Sequence, residues 1–451
     1  MAKDIENVER MFPLPLTCME QLQWFDSSSK FTNQVYSRFR FDGKIDPESA
    51  DAAARRVIAR HPFLTCQVTE QNGKLVWVQN PENIKPIRWD QPMDKTVGPK
   101  PIQLGREVPW NVECRYDGDQ TEMWFHMSHV IGDGLAGVQI ISEWMKCYHQ
   151  IVSASDSIKG FHRLDPSQLL RRNDLGLTSS AYLKNLWRQP IGLFGASKFI
   201  FRKPCPFQVD QVADADWDYE SQPAIVGDWL DETSSRKLAE KANSMNVSVN
   251  SILVGLLMQT LENFCQKHPD RISKWIRVIL PINIRTFADR RMPATNRATV
   301  VQVDRQASDF TREDYFSGLN REIQIIRDWD LGKLFLIFIR SMLLFPGAIS
   351  RAASNQKCRA TAVFANLAEP FGRMGLPVED QKMVVGNLKL HEFDFVGPIR
   401  HLMPVNFTSQ RFLGRYRISL HYDCRVLPAE NAAEVLSEFL NRLSSFAKSS
   451  T

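Results

Sequence analysis

At 451 residues the chain exceeds what one ordinary hydrophobic core organises, so two lobes are expected. A composition of 43% hydrophobic, 24% charged and 10% aromatic residues excludes a disordered or fibrous protein. The net charge of +5 is modest and carries no lysine/arginine block of the kind that tracks a phosphate backbone, which excludes nucleic acid as the expected partner.

The first predicted elements are a strand over Val35–Phe41 and a helix opened by Asp46-Pro47 and stopped by His61-Pro62. Phe63–Val68 and Leu75–Val78 flank Asn72-Gly73, a dipeptide that accepts positive φ, and form a hairpin. A second hairpin, Val112–Tyr116 and Glu122–Met127, turns at Asp117-Gly118-Asp119 and runs directly into Ser128–Gly134. Val138, Ile141, Met145 and Tyr148 then share one helical face.

Periodicity weakens after Ser153, and residues 176–222 read as a crossover between an N-terminal lobe, 1–175, and a C-terminal lobe, 223–451. Thr233 or Ser234 caps a helix from Ser235 to about Asn243, and Ser248 begins a more apolar helix through Phe264. Strands are predicted over Arg277–Ile284, Ala298–Val303, Thr361–Asn366, Asn387–Val396, Val405–Thr408 and Tyr416–Tyr422, with a closing helix over Glu430–Phe446. Both halves mix helix with sheet, an α/β (α+β) class.

The eight cysteines, among them Cys18, Cys66 and Cys114, show neither a Cys-x-x-Cys pair nor a metal-ligand spacing, so reduced thiols and a cytoplasmic location are expected. The start of the chain has no secretory-signal pattern. The longest apolar run, Leu334–Phe345, is interrupted by Arg340 and is shorter than the roughly 20 residues that cross a bilayer. It reads as a buried helix or, more sharply, as a contact for a membrane surface or a long acyl chain. Ile191, Leu193, Phe194, Phe199, Ile200 and Phe201, flanked by Lys198 and Arg202, form a second apolar patch of that kind.

Chemistry concentrates in Ser128-His129-Val130-Ile131-Gly132-Asp133-Gly134, where a titratable base and a carboxylate stand four residues apart at a strand-to-helix turn. Gly132 and Gly134 let that turn be tight. An imidazole with an ordinary pKa near 6.5 can take a proton from a weak nucleophile at neutral pH. Asp133 either orients the imidazole directly or pairs with an arginine and holds the loop. His126 and His129 are spaced as H-x-x-H, but on a strand they point to opposite faces and no third ligand lies nearby, so no metal is expected.

His-x-x-x-Asp-Gly after a strand resembles the signature of the CoA-dependent acyltransferase superfamily, which includes condensation domains, alcohol O-acyltransferases, wax ester synthases and plant BAHD acyltransferases. The likeness extends to Pro13-Leu14-Pro15-Leu16-Thr17, His61-Pro62-Phe63-Leu64, Leu280–Arg285 with Asn296-Arg297, Thr361–Asn366 and Ile418–Leu427. Ser128 stands where many relatives have a first histidine, and the Asp-Phe-Gly-Trp-Gly motif of the plant branch is absent. The resemblance implies two chloramphenicol-acetyltransferase-like lobes with an active-site tunnel between them and His129, the general base, at its centre.

By the same resemblance Arg285 pairs with Asp133, and Asn366 and Ser128 are candidates for the oxyanion or the tunnel wall. It implies no permanently bound cofactor: the co-substrate is an acyl-CoA or acyl-carrier thioester, and the acceptor a small molecule or lipid. The expected protein is a monomer. The leading function is a freestanding acyl-CoA-dependent acyltransferase. A condensation-type amide-forming enzyme fed by a carrier protein and a non-catalytic acyl-binding relative are the alternatives.

Overall fold

The computed structural model describes residues 10–27, 31–80, 87–90, 102, 105–154, 161–174, 195, 197–198, 201–207, 224–267, 273–354 and 357–449. Its first half contains β1 (Leu14–Pro15), α1 (Cys18–Phe25), β2 (Gln34–Asp42), α2 (Pro47–Ile58), β3 (Cys66–Gln71), β4 (Lys74–Gln79), β5 (Arg88–Asp90), β6 (Trp110–Asp117), β7 (Gln120–Ser128) and α3 (Gly134–Ser153). The second contains β8 (Ala224–Trp229), α4 (Glu232–Ser244), α5 (Val249–Lys267), β9 (Ile276–Asn283), β10 (Ala298–Arg305), α6 (Tyr315–Asp328), α7 (Gly332–Met342) and α8 (Ala348–Ala353). It ends with β11 (Ala362–Asn366), β12 (Val378–Glu379), β13 (Lys382–Val385), β14 (Leu388–Val396), β15 (Val405–Phe412), β16 (Arg415–Tyr422) and α9 (Ala429–Lys448).

Local chemistry sets the element ends. Asp46 caps α2 by accepting from Ser49 N at 3.0 Å, with Pro47 in the first turn where no N–H is required. Asn72 and Gly73 both have positive φ, 51° and 72°, which matches the right-handed twist of β3 and β4. The α4 cap differs from expectation: Asp231, not Thr233 or Ser234, accepts from Ser234 N at 2.8 Å, so the helix starts at Glu232.

Two mixed sheets carry the molecule. The first has strand order β12-β13-β14-β2-β7-β6-β5, antiparallel except for the β5/β6 pair. The second runs β10-β9-β11-β15-β16-β8, with β11 parallel to both its neighbours. Each sheet has its own apolar core, against α2 and α3 in one lobe and α4, α5 and α9 in the other. This is the two-lobed α/β architecture.

The lobe boundary at 223–451 needs correction. Strands β12 to β14 lie within that span yet complete the first lobe's sheet, β14 pairing antiparallel with β2 in the register Phe393↔Phe39. The physical reason is aromatic packing: Phe393 and Phe395 lie 6.2 and 5.5 Å from the Phe39 ring, centroid to centroid. Of the crossover 176–222 only residues 195, 197–198 and 201–207 are described, and Cys205 and Phe207 are buried in the second core. Ile191, Leu193, Phe194, Phe199 and Ile200 of the second apolar patch lie outside the described residues, while Phe201 is exposed.

A buried charge cluster ties the sheets together. Asp394 of β14 accepts from Arg417 Nε of β16 at 2.8 Å, from Ser419 Oγ at 2.8 Å and from Arg38 Nη2 of β2 at 2.6 Å. Burial pushes the Asp394 carboxyl upward, but the Arg417 and Arg38 guanidiniums outweigh it and hold the group far below the usual carboxylate range.

Candidate active site

Strand β7 delivers His129 to the junction of the lobes. The His129 backbone N–H donates to Asn33 O at 2.8 Å, and the chain then turns through Val130–Gly132 so that Asp133 becomes the N-cap of α3. Gly132 is required, but its φ is not positive: a β-carbon there would sit 2.7 Å from the Ala136 β-carbon, because the first helical turn folds back on the loop. At Gly134 a β-carbon would meet Leu367 Cδ2 at 3.3 Å, a tight but yielding contact.

The Asp133 carboxylate is fully engaged. Arg285 donates Nη1 to Oδ2 at 2.9 Å and Nη2 to Oδ1 at 3.0 Å, a two-pronged pair between the lobes. Ala136 N donates to Oδ1 at 2.9 Å and Arg297 N to Oδ2 at 2.8 Å. Burial would raise this carboxyl's pKa, but the Arg285 charge and these four N–H donors outweigh it and hold it below the ordinary value. With its acceptor positions filled, Asp133 anchors the loop and does not orient the imidazole.

Asn296 meets the imidazole instead. Its Nδ2 lies 3.3 Å from His129 Nδ1 and donates to the His129 carbonyl oxygen at 3.2 Å. The half-buried His129 has a pKa below the ordinary value because of burial; a hydrogen bond between the ring and its own backbone and the charge of Asp133 oppose the shift, and the charge of Arg400 adds to it. The 292–297 segment that carries Asn296 is itself pinned. Ala294 N donates to His61 Nδ1 at 3.0 Å, which leaves the His61 proton on Nε2, 3.2 Å from Glu143. Arg297 donates to the carbonyl oxygens of Arg172 and Asp174 and, at 3.2 Å, to Asp289.

His129 lines a cavity of about 1670 Å³ between the lobes. Val35 and Gly134 come from the first lobe, Ile279, Asn283 and Asn296 from the second, and Leu334, Phe335 and Phe338 of α7 form an apolar wall. Asn366 also lines it, but its Oδ1 accepts from Ala368 N at 2.8 Å and its Nδ2 already donates to Asn250 at 3.0 Å, leaving one amide hydrogen. Ser128 does not line it: the side chain is wholly buried, and its hydroxyl accepts from Val130 N at 3.3 Å to shape the turn, which corrects the oxyanion or tunnel expectation for that residue. Among the described residues no group of His, Cys, Asp and Glu could hold a metal ion.

The structure thus brings His129, Asp133, Arg285 and Asn366 to one cavity and leaves Ser128 behind its wall. Asn296 and His61 are the residues that sequence reasoning did not place at the site. Asn296-Arg297 was legible as a motif, yet nothing local links an amide to a histidine 167 positions earlier.

No protein-family model matches the chain and no curated protein matches it. Solved structures do. The first condensation domain of the CDA synthetase superposes with a TM-score of 0.68 at 12% identity, covering 96% of each chain. The starter condensation domain of rhizomide synthetase, in a mutant form complexed with C8-CoA, superposes at 0.66 and 13% identity, covering 100% of this chain and 98% of that one. Polyketide synthase associated protein 5 from Mycobacterium tuberculosis gives 0.63 at 12% identity, covering 96% and 98%. The chain has the two-lobed, chloramphenicol-acetyltransferase-like fold of condensation domains.

Proposed function

We propose that this protein is an acyltransferase that moves an acyl group from a thioester, of CoA or of a carrier protein, to an alcohol or amine, with His129 as general base. The observation that carries the reading is an imidazole of lowered pKa on the wall of a cavity open to both lobes, in a loop locked by Asp133 and Arg285. We assign the ring proton to Nδ1, so that Nε2 holds the lone pair and Asn296 Nδ2 serves the His129 carbonyl oxygen, at 3.2 Å, rather than the ring nitrogen. It takes the proton of the acceptor's O–H or N–H as that atom attacks the thioester carbonyl. The tetrahedral oxyanion collapses, the C–S bond breaks, and the thiolate leaves with the proton from Nε2. A thioester already has a good leaving group, so holding the two substrates together and activating one of them is sufficient chemistry.

The fold shared with condensation domains supports the same reading, and the apolar α7 wall favours a donor longer than acetyl. The test is thiol release from a series of acyl-CoAs with an alcohol or amine acceptor. The value of kcat/KM should increase with chain length, since each buried methylene contributes about 0.8 kcal/mol to binding. His129→Ala should stay folded and lose at least about 10² in rate. Near-wild-type turnover by the folded variant would refute the mechanism. Activity only with acyl groups loaded on a carrier protein would select the carrier-fed, amide-forming variant of this chemistry.

A further inference from the structure

Helix α7 has two faces with different surroundings. Ile339 is buried and, with Phe335 and Met342 against it, joins Cys18, Leu22, Ile349 and Ala353 of α1 and α8 in a small third core. The outer face, with the turn into α8, carries Phe338, Leu343, Leu344 and Phe345, which are 56%, 46%, 78% and 66% exposed. Four of the nine exposed large apolar side chains among the described residues therefore fall within 338–345, whereas the others are dispersed along the chain. Apolar side chains so grouped mark a surface that meets something other than water.

Charge identifies what that is. From Leu331 to Ala368 the chain has Lys333, Arg340, Arg351, Lys357 and Arg359, and neither aspartate nor glutamate. Arg340 and Arg351 are exposed on either side of the apolar turn, and Arg351 braces it by donating to Pro346 O at 3.1 Å. An apolar tip flanked by two exposed arginines matches a bilayer whose acyl region lies beneath anionic headgroups. A second copy of the chain fits poorly, because a two-fold contact through this patch would bring the same arginines face to face. The patch is also continuous with the cavity: Phe338, more than half exposed, lines it together with Leu334, Ile337 and His129.

We propose that the α7–α8 tip, Phe338 and Leu343–Phe345 with Arg340 and Arg351, docks this protein on an anionic membrane surface. The mouth of the cavity then opens towards the lipid, and an acyl chain passes between bilayer and site without crossing water. That last step rests on the acyl-transfer reading; the docking does not.

The experiment is co-sedimentation of the full chain with vesicles of phosphatidylcholine alone and of phosphatidylcholine mixed with phosphatidylserine. The wild type should bind the anionic vesicles, and less so as salt is raised. Leu344→Ser/Phe345→Ser, which alters two side chains outside the cavity, should lower partitioning at least about tenfold with an unchanged thermal transition. Arg340→Gln/Arg351→Gln should abolish the preference for phosphatidylserine. The idea is overturned if the wild type ignores both vesicles, if the serine variant binds as well as the wild type, or if sedimentation shows a dimer that the serine variant splits. None of these readouts involves turnover, so docking and acyl transfer stand or fall separately.

Discussion

Desolvation at His129 favours the neutral ring, which is the form a base must have. Its pKa lies below the ordinary 6.5, so the rate should rise with pH through that lowered pKa and be level by neutrality. A plot of kcat/KM against pH should therefore show its acid limb below 6.5. Asn296 is a positioning residue here, since its Nδ2 lies against the ring and donates to the His129 carbonyl oxygen. Asn296→Ala should lower kcat about five- to tenfold, the equivalent of one hydrogen bond, and move the acid limb back towards the ordinary value as water reaches the ring. A merely structural role would change kcat or stability and leave the limb in place.

Loops at the ends of elements hold the site, and their interactions cross the lobe junction. Arg285 follows β9, Asp133 begins α3, and the pair joins positions 152 apart. Removing one partner of a buried pair costs about 3 to 5 kcal/mol, and less for a pair in which Arg285 is partly exposed. Arg285→Ala should therefore lower both the melting temperature and the rate, and Arg285→Lys should recover only part of each, because an ammonium cannot donate two parallel N–H groups. Unchanged melting in both variants would refute the anchor role. Elements of this kind were legible where local chemistry decides them: alternation in β2 and β7, Asn72-Gly73 between β3 and β4, Asp46-Pro47 at α2. Partner choice was not. The alternation in Leu388–Val396 says that a strand has buried faces but not which sheet receives it, and the carboxylate at Asp133 accepts any guanidinium that the fold brings near. Only the family resemblance singled out Arg285, and although it took in Asn296 as part of a motif, neither route gave that residue a place beside His129.

As a whole molecule the protein should respond to acid in two stages. His421 is buried, with Nδ1 at 2.7 Å from Gly397 O, and burial pushes its pKa down from the ordinary 6.5 to about 4. Between those values the unfolded chain takes up a proton that the folded one refuses, so stability is complete above 6.5 and declines as pH falls towards 4, by roughly 3 kcal/mol. The paired carboxylates act later: Glu143, held at about 2 against an ordinary 4.5 because its bonds to His61 and Arg60 outweigh burial, withdraws its contribution as pH falls through that lower window. Urea midpoints measured from pH 7 downward should fall in both windows, and His421→Gln should make the first fall shallower. A wild-type midpoint constant from 6.5 to 4 would contradict the assignment. The strand exchange between the two halves has a further consequence, for biosynthesis. On the ribosome β2 and β7 emerge long before β14, and at about 5 to 20 residues per second the delay is on the order of tens of seconds. Throughout that interval the nascent first sheet has a raw edge at β2, with Phe39 lacking the aromatic cover that β14 brings. Nascent chains stalled before residue 378 should recruit chaperones to this edge, and those released only after residue 448, with β14 to β16 and α9 in place, should not.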